Sequence, residues 1–515
     1  MRIKSHSFAR GMIWLPAISL AALLGGCGGS SGSGTADTAT PFGVSGTMPA
    51  ANAELVSIRS TISATFNDTV SRDSVTAKSF RLQCPAFVSV AGSVELADDE
   101  RVVTLTPDEP LPENKTCIVT VTDITDADGR PLNQPVSWTF NTNASAETLA
   151  EGKQIFRYDT FGDEIFWTDV LQMHTVVETA VDPVTALTVA GLKVDSEALP
   201  PSVVEGILNE SISLTDPATT VALIDLDAVV GIKGTVEDGK ITRLGVTCAL
   251  CHSTVDDSFS PGIGKRLDGW PNRDLNPGLI ISLSPVLTEA QKTIYGSWGK
   301  GMYDARFNFD GISSPHVITP AYGLNGIHKT TTTGDGDDIA YWNRYVGVTQ
   351  MGGQGFFYDQ RTGVVVQNGT VDMISKKLPA LQAYQLSLLA PEAPEGSFDV
   401  VAAARGELLF NGQAQCASCH TGPKFTDANT RLHAPSEVAS LVNGMEPDGT
   451  PEYASRTATR QYRTAPLEGI WQHPPYFHNG SAATLNDVVE MYNEKLNLAL
   501  ADNQKNDLVE YLKSL

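Results

Sequence analysis

Cys416-Ala417-Ser418-Cys419-His420 decides how the carboxy-terminal part of this chain folds, and Cys248-Ala249-Leu250-Cys251-His252 repeats its pattern earlier in the sequence. In each pentapeptide, two thiols stand at the spacing that adds to the vinyl groups of haem, and the next residue places an imidazole under the iron. A single motif of this kind arises by chance or forms half of a zinc site, whereas two in one chain indicate covalent haem. We therefore predict a haem c at each motif, with Cys248, Cys251, Cys416 and Cys419 as attachment residues and His252 and His420 as iron ligands.

The sequence around the two motifs carries one helical signature twice. Residues 402–410 form a helical pattern before the second motif, and residues 150–156 repeat its A-x-G-x-x-x-F spacing before the first. Residues 507–512 are typical of an amphipathic helix, which in class I cytochromes packs across the helix that bears Gly406. These patterns predict two mainly α cytochrome c-type haem domains, at residues 146–395 with a long insertion over 157–247, and at residues 396–515.

An alternating apolar and polar pattern runs through residues 46–143. Ile62-Ser63-Ala64-Thr65-Phe66 and Val102-Val103-Thr104-Leu105-Thr106 are typical of half-buried strands, and Asp126-Ala127-Asp128-Gly129 is a turn signal between such segments. Several short strands in about 100 residues predict a β-sandwich. Their order resembles bacterial Ig-like modules, so we predict a multidomain chain in which an Ig-like β-sandwich precedes the two haem domains.

All seven cysteines of the chain can be assigned. Four belong to the haem motifs, and Cys27 lies in the targeting segment described below. Cys84 and Cys117 each lie in phase with the apolar residues of their own predicted strands, so both would face one core. We predict a Cys84–Cys117 disulfide formed in an oxidising compartment, with a stabilisation of roughly 3–4 kcal/mol in the chain-entropy model.

The first 27 residues have the pattern of an export signal. Arg2, Lys4 and Arg10 precede an apolar stretch that is too short to span a bilayer comfortably. Leu24-Gly25-Gly26-Cys27 resembles the bacterial lipobox, in which the cysteine thiol receives a lipid. We expect a lipoprotein signal peptide over 1–27 with Cys27 lipidated, a flexible linker over 28–45, and an exported, periplasmic or outer-membrane-associated protein. An uncleaved anchor or a simple secretion signal is the alternative.

The charge of the chain limits its partners. The formal net charge is −23, which argues against nucleic acid or an anionic membrane surface. The membrane is therefore expected as a partner through the lipid alone. An acidic electron carrier attracts a basic soluble redox partner, such as a small c-type cytochrome, although the acidity can equally serve only to keep the protein soluble.

Two stretches near the carboxy terminus resemble the di-haem cytochrome c peroxidase superfamily. They are Tyr462-Arg463-Thr464-Ala465-Pro466-Leu467-Glu468-Gly469-Ile470-Trp471 and Pro475-Tyr476-Phe477-His478-Asn479-Gly480-Ser481-Ala482-Ala483-Thr484-Leu485. The superfamily includes the di-haem enzyme that matures tryptophan tryptophylquinone and, more distantly, the di-haem rubber oxygenases. The resemblance, over residues 146–515, implies that the N-terminal haem is reactive and that the C-terminal haem handles electrons.

The resemblance also implies a sixth ligand and an electron relay. The C-terminal haem takes a Met in the peroxidases and a Tyr in the quinone-forming enzyme, and the register from His478 reaches Tyr492, with Met491 just before it. One residue turns a helical side chain by about 100°, so only one of the two faces the iron, and we favour Tyr492. Trp298 is the candidate relay between the haems, and Trp342 is the second.

The N-terminal haem is expected to have an open sixth position, where peroxide or dioxygen would bind. No histidine follows His252 until His316, although His316 or Met302 could close the site. Cleavage of an O–O bond needs a polar group beside this position, and the candidates that we cannot rank are Asp304, Asp310, His316 and His328.

Two further sites follow from the resemblance alone. His478 would lie between the haem regions and orient water or a propionate. The superfamily holds calcium between its haem domains through an Asn and backbone carbonyls, which implies a Ca²⁺ site at Asn276 and residues 472–475.

Three functions remain open from the sequence. The favoured one is a peroxidase-like oxidoreductase that reduces hydrogen peroxide at the His252 haem with electrons from the His420 haem. The alternatives are a non-enzymatic electron-transfer cytochrome, with both haems six-coordinate, and a dioxygenase similar to the rubber oxygenases.

Overall fold

The computed structural model describes residues 40–336, 339–447 and 449–515. The predicted signal peptide, with Cys27, and most of the predicted linker lie outside these residues. Among the described residues, no helix is both long and apolar enough to cross a membrane.

Two four-stranded sheets form the amino-terminal part of the described chain, with strand orders β1-β3-β6-β5 and β2-β8-β7-β4. Their strands are β1 Val44–Met48, β2 Ala53–Val56, β3 Ile62–Phe66, β4 Phe80–Gln83, β5 Gly92–Leu96, β6 Val102–Pro107, β7 Thr116–Val121 and β8 Val136–Thr142. Alternate residues of β3 and β7 point into one apolar core. A disulfide joins Cys84 to Cys117 inside this core, with their Cα atoms 4.3 Å apart. The predicted β-sandwich is therefore confirmed.

The rest of the chain is mainly helical. Its helices are α1 Ala146–Tyr158, α2 Met173–Ala180, α3 Pro183–Thr188, α4 Pro201–Leu208, α5 Pro217–Asp225, α6 Ala249–His252, α7 Pro277–Ser282, α8 Glu289–Gly296, α9 Phe307–Asp310, α10 Ile339–Thr349, α11 Leu378–Ser387, α12 Val400–Asn411, α13 Leu485–Leu496 and α14 Asp502–Ser514. Short strand pairs lie between them: β9 Val194–Asp195 with β13 Ile263–Gly264, β10 Ile232–Glu237 with β11 Lys240–Val246, β12 Ser253–Val255 with β14 Arg266–Asp268, β15 Met302–Tyr303 with β16 His316–Val317, and β17 Gly355–Asp359 with β18 Val364–Asn368.

The repeated A-x-G-x-x-x-F signature makes one close helix crossing before each haem motif. At Gly406 on α12, an added Cβ would lie 2.1 Å from the carbonyl oxygen of Asp507 on α14, so only glycine fits. At Gly152 on α1, an added Cβ would lie 2.0 Å from the carbonyl oxygen of Ala380 on α11. The two glycines thus allow the same close approach of backbones in both regions.

The phenylalanine of each signature packs on a tyrosine of the crossing helix. The ring centroids of Phe410 and Tyr511 lie 5.2 Å apart, and those of Phe156 and Tyr384 lie 5.6 Å apart. The crossing of α12 by the last helix was predicted. The equivalent crossing of α1 by α11 was not, because more than 200 residues separate the two helices.

Candidate haem sites

The first haem motif follows directly after the β10–β11 hairpin of the insertion and forms the short helix α6. Burial raises the pKa of both Cys248 and Cys251 to about 12, so these thiols are uncharged. Nδ1 of His252 lies 3.0 Å from the carbonyl oxygen of Thr319. A carbonyl only accepts hydrogen bonds, so Nδ1 carries the proton and Nε2 is available to bind iron.

A cavity of about 960 Å³ borders this motif, near the upper end of the range of about 300–1,000 Å³ for ligand cavities. Its lining is mostly apolar and includes Phe166, Trp167, Leu250, Ile318, Trp342 and Met351. An apolar cavity beside two thiols and an oriented imidazole fits a covalently attached haem.

The insertion between α1 and the motif supplies one wall of this cavity. A π-helical turn over Ile165–Val170 brings Phe166 and Trp167 to the cavity, and the Trp167 indole donates a 3.0 Å hydrogen bond to the carbonyl oxygen of Met351. The role of this stretch could not be predicted from the sequence, because its partner lies far along the chain.

A polar pair in the cavity wall was also missed by the sequence analysis. The Tyr303 hydroxyl donates a 2.6 Å hydrogen bond to Oε1 of Gln350, whose amide nitrogen donates to the carbonyl oxygen of Ala305 at 2.8 Å. Burial, with a smaller effect from Cys251, raises the pKa of the Tyr303 phenol. Tyr303 therefore stays a neutral hydrogen-bond donor beside the attachment site.

Of the predicted polar candidates, His316 is the one that lines the cavity. Its Nδ1 lies 2.9 Å from the carbonyl oxygen of Val317, and burial lowers its pKa to about 4, so the ring is neutral at neutral pH. Asp304 and Asp310 are instead paired with Arg456, at shortest distances of 3.0 and 2.6 Å. The carboxylates thus neutralise a buried guanidinium.

His328, the fourth candidate, does not line this cavity. Its backbone N–H donates a 2.7 Å hydrogen bond to the Asn429 side chain, and the residue is exposed.

The two predicted relay tryptophans lie in different aromatic groups. Trp298 is buried among Tyr295 and Tyr303, with ring centroids 5.0 and 5.4 Å away, and Trp342 stacks on Tyr345 at 4.8 Å. Both groups lie within the first haem region.

A third aromatic group joins the two haem regions. The indoles of Trp270 and Trp471 have centroids 5.9 Å apart, and Tyr322 packs on Trp270 at 6.5 Å. Gly269, just before Trp270, donates its N–H to the carbonyl oxygen of His252 at 2.8 Å. The sequence analysis did not identify this contact between the regions.

The second haem motif repeats the imidazole geometry of the first. Nδ1 of His420 lies 2.9 Å from the carbonyl oxygen of Phe425, which again leaves Nε2 for iron. Phe410 lies beside it, 6.4 Å from the His420 ring. Burial raises the pKa of Cys416 to about 11, so this thiol is also uncharged.

The two candidate sixth ligands of this motif are adjacent residues of α13. Tyr492 is partly buried, and its phenol pKa is raised by desolvation and by the neighbouring Cys416 and Cys419. Met491 packs against the core shared by α12 and α14. Tyr492 is thus the residue beside the attachment cysteines.

His478 lies in a buried hydrogen-bond network between the two regions. Its Nε2 lies 2.8 Å from Oε1 of Glu446 and 3.3 Å from the Tyr462 hydroxyl, which in turn donates to Glu452 at 2.8 Å. Its carbonyl oxygen accepts a 2.8 Å hydrogen bond from the N–H of Val317. These contacts make His478 a link between the regions.

Comparison with known proteins adds two family matches. Residues 37–142 match the family described as bacterial Ig-like domain, and residues 461–495 match the family described as RoxA-like, cytochrome c-like.

Three relatives cover parts of this chain. Cytochrome-c peroxidase IdrP2 of Denitromonas iodatirespirans is 23% identical over 310 residues, which are 53% of this chain and 76% of the relative. Methylamine utilization protein MauG of Methylorubrum extorquens is 29% identical over 155 residues, 26% of this chain and 42% of the relative. Cytochrome c551 peroxidase of Pseudomonas aeruginosa is 26% identical over 151 residues, with the same shares of 26% and 42%.

The chain thus spans about three quarters of one relative and less than half of the other two. Haem c is the cofactor that these matches support. They confirm the resemblance of this chain, behind its Ig-like domain, to the di-haem cytochrome c peroxidase superfamily.

Proposed function

We propose that the chain is an exported, lipid-anchored di-haem oxidoreductase of the peroxidase type, with one haem at each motif. The observation that carries this proposal is the cavity of about 960 Å³ beside His252. The haem would occupy this cavity, and the Tyr303–Gln350 pair in the cavity wall would supply the neutral hydrogen-bond donor that cleavage of an O–O bond needs. The relatives named cytochrome c peroxidase support the same class of reaction.

Residues of this chain would hold each haem and shape its surroundings. When bound, the haem supplies an iron that exchanges electrons and polarises an O–O bond. The carbonyl oxygens of Thr319 and Phe425 fix the two imidazoles with Nε2 free. The mostly apolar lining would pack against the haem, and the Tyr303–Gln350 pair would provide a hydrogen-bond donor there.

Electrons would enter from a soluble donor at the second haem. The formal net charge of −23 favours a basic donor, such as a small cytochrome c. We propose Tyr492 as the sixth ligand of this haem, because phenolate favours the higher oxidation states of iron. The contact of Trp270 with Trp471 supports a path between the regions. Trp298, the relay candidate from the sequence, lies in the first region with Tyr295 and Tyr303.

A second candidate, oxygenation of an apolar organic substrate, is favoured by the rim of the cavity. Ile165, Val170, Val286 and Phe309 line the cavity and are 40–51% exposed. Hydrogen peroxide is small and polar and does not need such a rim, whereas a long apolar substrate would bury these side chains. The match of residues 461–495 to the RoxA-like family supports this candidate.

The test mixes the holoprotein with stoichiometric hydrogen peroxide and reduced small cytochrome c in a stopped-flow instrument. The peroxidase proposal predicts fast, peroxide-dependent oxidation of the donor. No peroxide-dependent oxidation would refute it. Oxygen uptake with dispersed polyisoprene tests the second candidate in parallel, and the variant Val286→Asp should lower that uptake.

A further inference from the structure

Three buried nitrogen atoms at the contact between the two haem regions have no hydrogen-bond partner. They are Nε and Nη1 of Arg273 and Nδ1 of His473. The two side chains influence each other, because burial and then the Arg273 charge lower the pKa of His473 to about 3. Orphaned donors are rare in folded proteins, so a group that accepts hydrogen bonds is expected at this place.

No described carboxylate pairs with Arg273. Its electrostatic neighbours are the phenols of Tyr322 and Tyr476, which already donate to the carbonyl oxygens of Gly469 and Ile470 at 3.0 and 3.1 Å. Within the described residues, no Asp or Glu oxygen lies within 4.0 Å of the guanidinium. Burial therefore lowers the pKa of Arg273 to about 10.

Several other buried arginines are paired with carboxylates. Arg157 lies 2.6 Å from Asp268, Arg306 lies 2.5 Å from Asp335, and Arg456 is held by two carboxylates. A buried guanidinium without a counter-charge is strongly unfavourable, so an anion is expected beside Arg273.

The location of Arg273 indicates which anion is within reach. Its neighbour Asn272 donates its N–H to the carbonyl oxygen of Cys251 at 2.9 Å, so Arg273 lies beside the first attachment site. His473 belongs to the second region. A haem carries two propionates, and a guanidinium binds a carboxylate through paired hydrogen bonds.

The surroundings of Arg273 and His473 do not favour the binding of a calcium ion. The Asn276 side-chain oxygen caps α7 by accepting from the N–H of Leu279 at 3.1 Å. Arg273 is three residues away in the sequence, and its positive charge also faces His473 from residues 472–475. Ca²⁺ is normally bound where carboxylate and carbonyl oxygens surround it, and a neighbouring guanidinium opposes this.

We propose that Arg273 and His473 form an anion pocket that binds a haem propionate, and that no calcium ion binds between the haem regions. This inference rests on the proposed attachment of haem at the motifs. A positive charge beside a propionate stabilises the reduced haem, so the pocket would raise the midpoint potential of the haem that it holds.

The experiment compares holoproteins in which Arg273 is changed. Arg273→Met removes the charge, Arg273→Lys keeps it without the planar fork, and Arg243→Gln is the control, since Arg243 is half-exposed and pairs with Asp169. Haem content by pyridine haemochrome, thermal unfolding and the two midpoint potentials are measured. Haem content reports the proposed attachment separately from the pocket.

The proposal predicts that Arg273→Met lowers the melting temperature and shifts one midpoint potential to a more negative value. Arg273→Lys should give a smaller shift of the same sign, and Arg243→Gln should give none. If Arg273→Met does not accumulate as holoprotein, the midpoint potentials of Arg273→Lys alone decide whether the proposal stands.

Three results would overturn the proposal. Unchanged midpoints with an unchanged or raised melting temperature would mean that Arg273 binds no anion. A lower melting temperature with unchanged midpoints, together with stabilisation of the wild type by added phosphate, would indicate a free anion instead of a propionate. A change in wild-type melting temperature on adding Ca²⁺ or a chelator would contradict the exclusion of calcium.

Discussion

Gly406 lies where α14 crosses α12, and replacing it with alanine is expected to force the two helices apart. The added Cβ would lie 2.1 Å from the carbonyl oxygen of Asp507. Ordinary contacts between carbon and a carbonyl oxygen begin at about 3.3 Å, so the helices must separate by about 1.2 Å. The obstacle is backbone, which cannot turn away as a side chain would.

The expected loss of stability follows from two opposing effects. Overpacking of a close contact costs about 3 kcal/mol at the upper end of its usual range, and alanine gains about 1 kcal/mol over glycine in a helix. We therefore expect Gly406→Ala to lower the free energy of unfolding of the carboxy-terminal region by about 2 kcal/mol. Gly296→Ala is the control, because nothing lies within 4 Å of its added Cβ.

The effect should also reach the second haem motif. Phe410, one turn after Gly406, packs on Tyr511 and lies 6.4 Å from the His420 ring. Moving α12 therefore loosens the support of that imidazole. Gly152→Ala should act in the same way on the first region, where the added Cβ would lie 2.0 Å from the carbonyl oxygen of Ala380.

Denaturant titrations of the holoproteins, followed by haem absorbance and by far-ultraviolet circular dichroism, measure these effects. Gly406→Ala should lower the midpoint of unfolding while Gly296→Ala leaves it unchanged or slightly raised. A Gly406→Ala protein within about 0.5 kcal/mol of the wild type would refute the reasoning from the close crossing.

Three further predictions concern the sites. Tyr492→Phe should change the absorbance spectrum and midpoint potential of the second haem, whereas Met491→Leu should change neither; the reverse result would make Met491 the ligand. Tyr303→Phe removes the donor to Gln350 and should slow peroxide-dependent donor oxidation roughly tenfold with unchanged haem content, and an unchanged rate would exclude the hydroxyl from the reaction. Burial lowers the pKa of His316 to about 4, below the unfolded value of about 6.5, so the unfolded chain binds more protons between these values. Its contribution to stability is then present above pH 6.5 and lost as pH falls toward 4, and His316→Asn should make the stability–pH curve flatter over that window.

Local patterns were sufficient to predict much of this structure. The alternation in β3 and β7 predicted the sandwich, and the A-x-G-x-x-x-F signature with the last helix predicted the α12–α14 crossing. The spacing in each motif also predicted two thiols beside an imidazole, and each imidazole carries an oriented Nδ1 proton in the structure.

The parts that could not be predicted depend on contacts between distant residues. Tyr303 donates a hydrogen bond to Gln350 in the cavity wall, and the Trp167 indole donates one to the carbonyl oxygen of Met351, although neither pair shares a motif. The sequence likewise does not reveal that Arg273 lacks a carboxylate partner, because only the fold places this residue between the two regions. Sequence spacing carries no signal for such pairs.

The most direct test of the central claim is the stoichiometry of carbon monoxide binding to the fully reduced holoprotein. A reactive haem at His252 and a six-coordinate haem at His420 predict one carbon monoxide bound for every two haems. Binding to neither haem would contradict the account and indicate an electron carrier, and binding to both would contradict the closed second site.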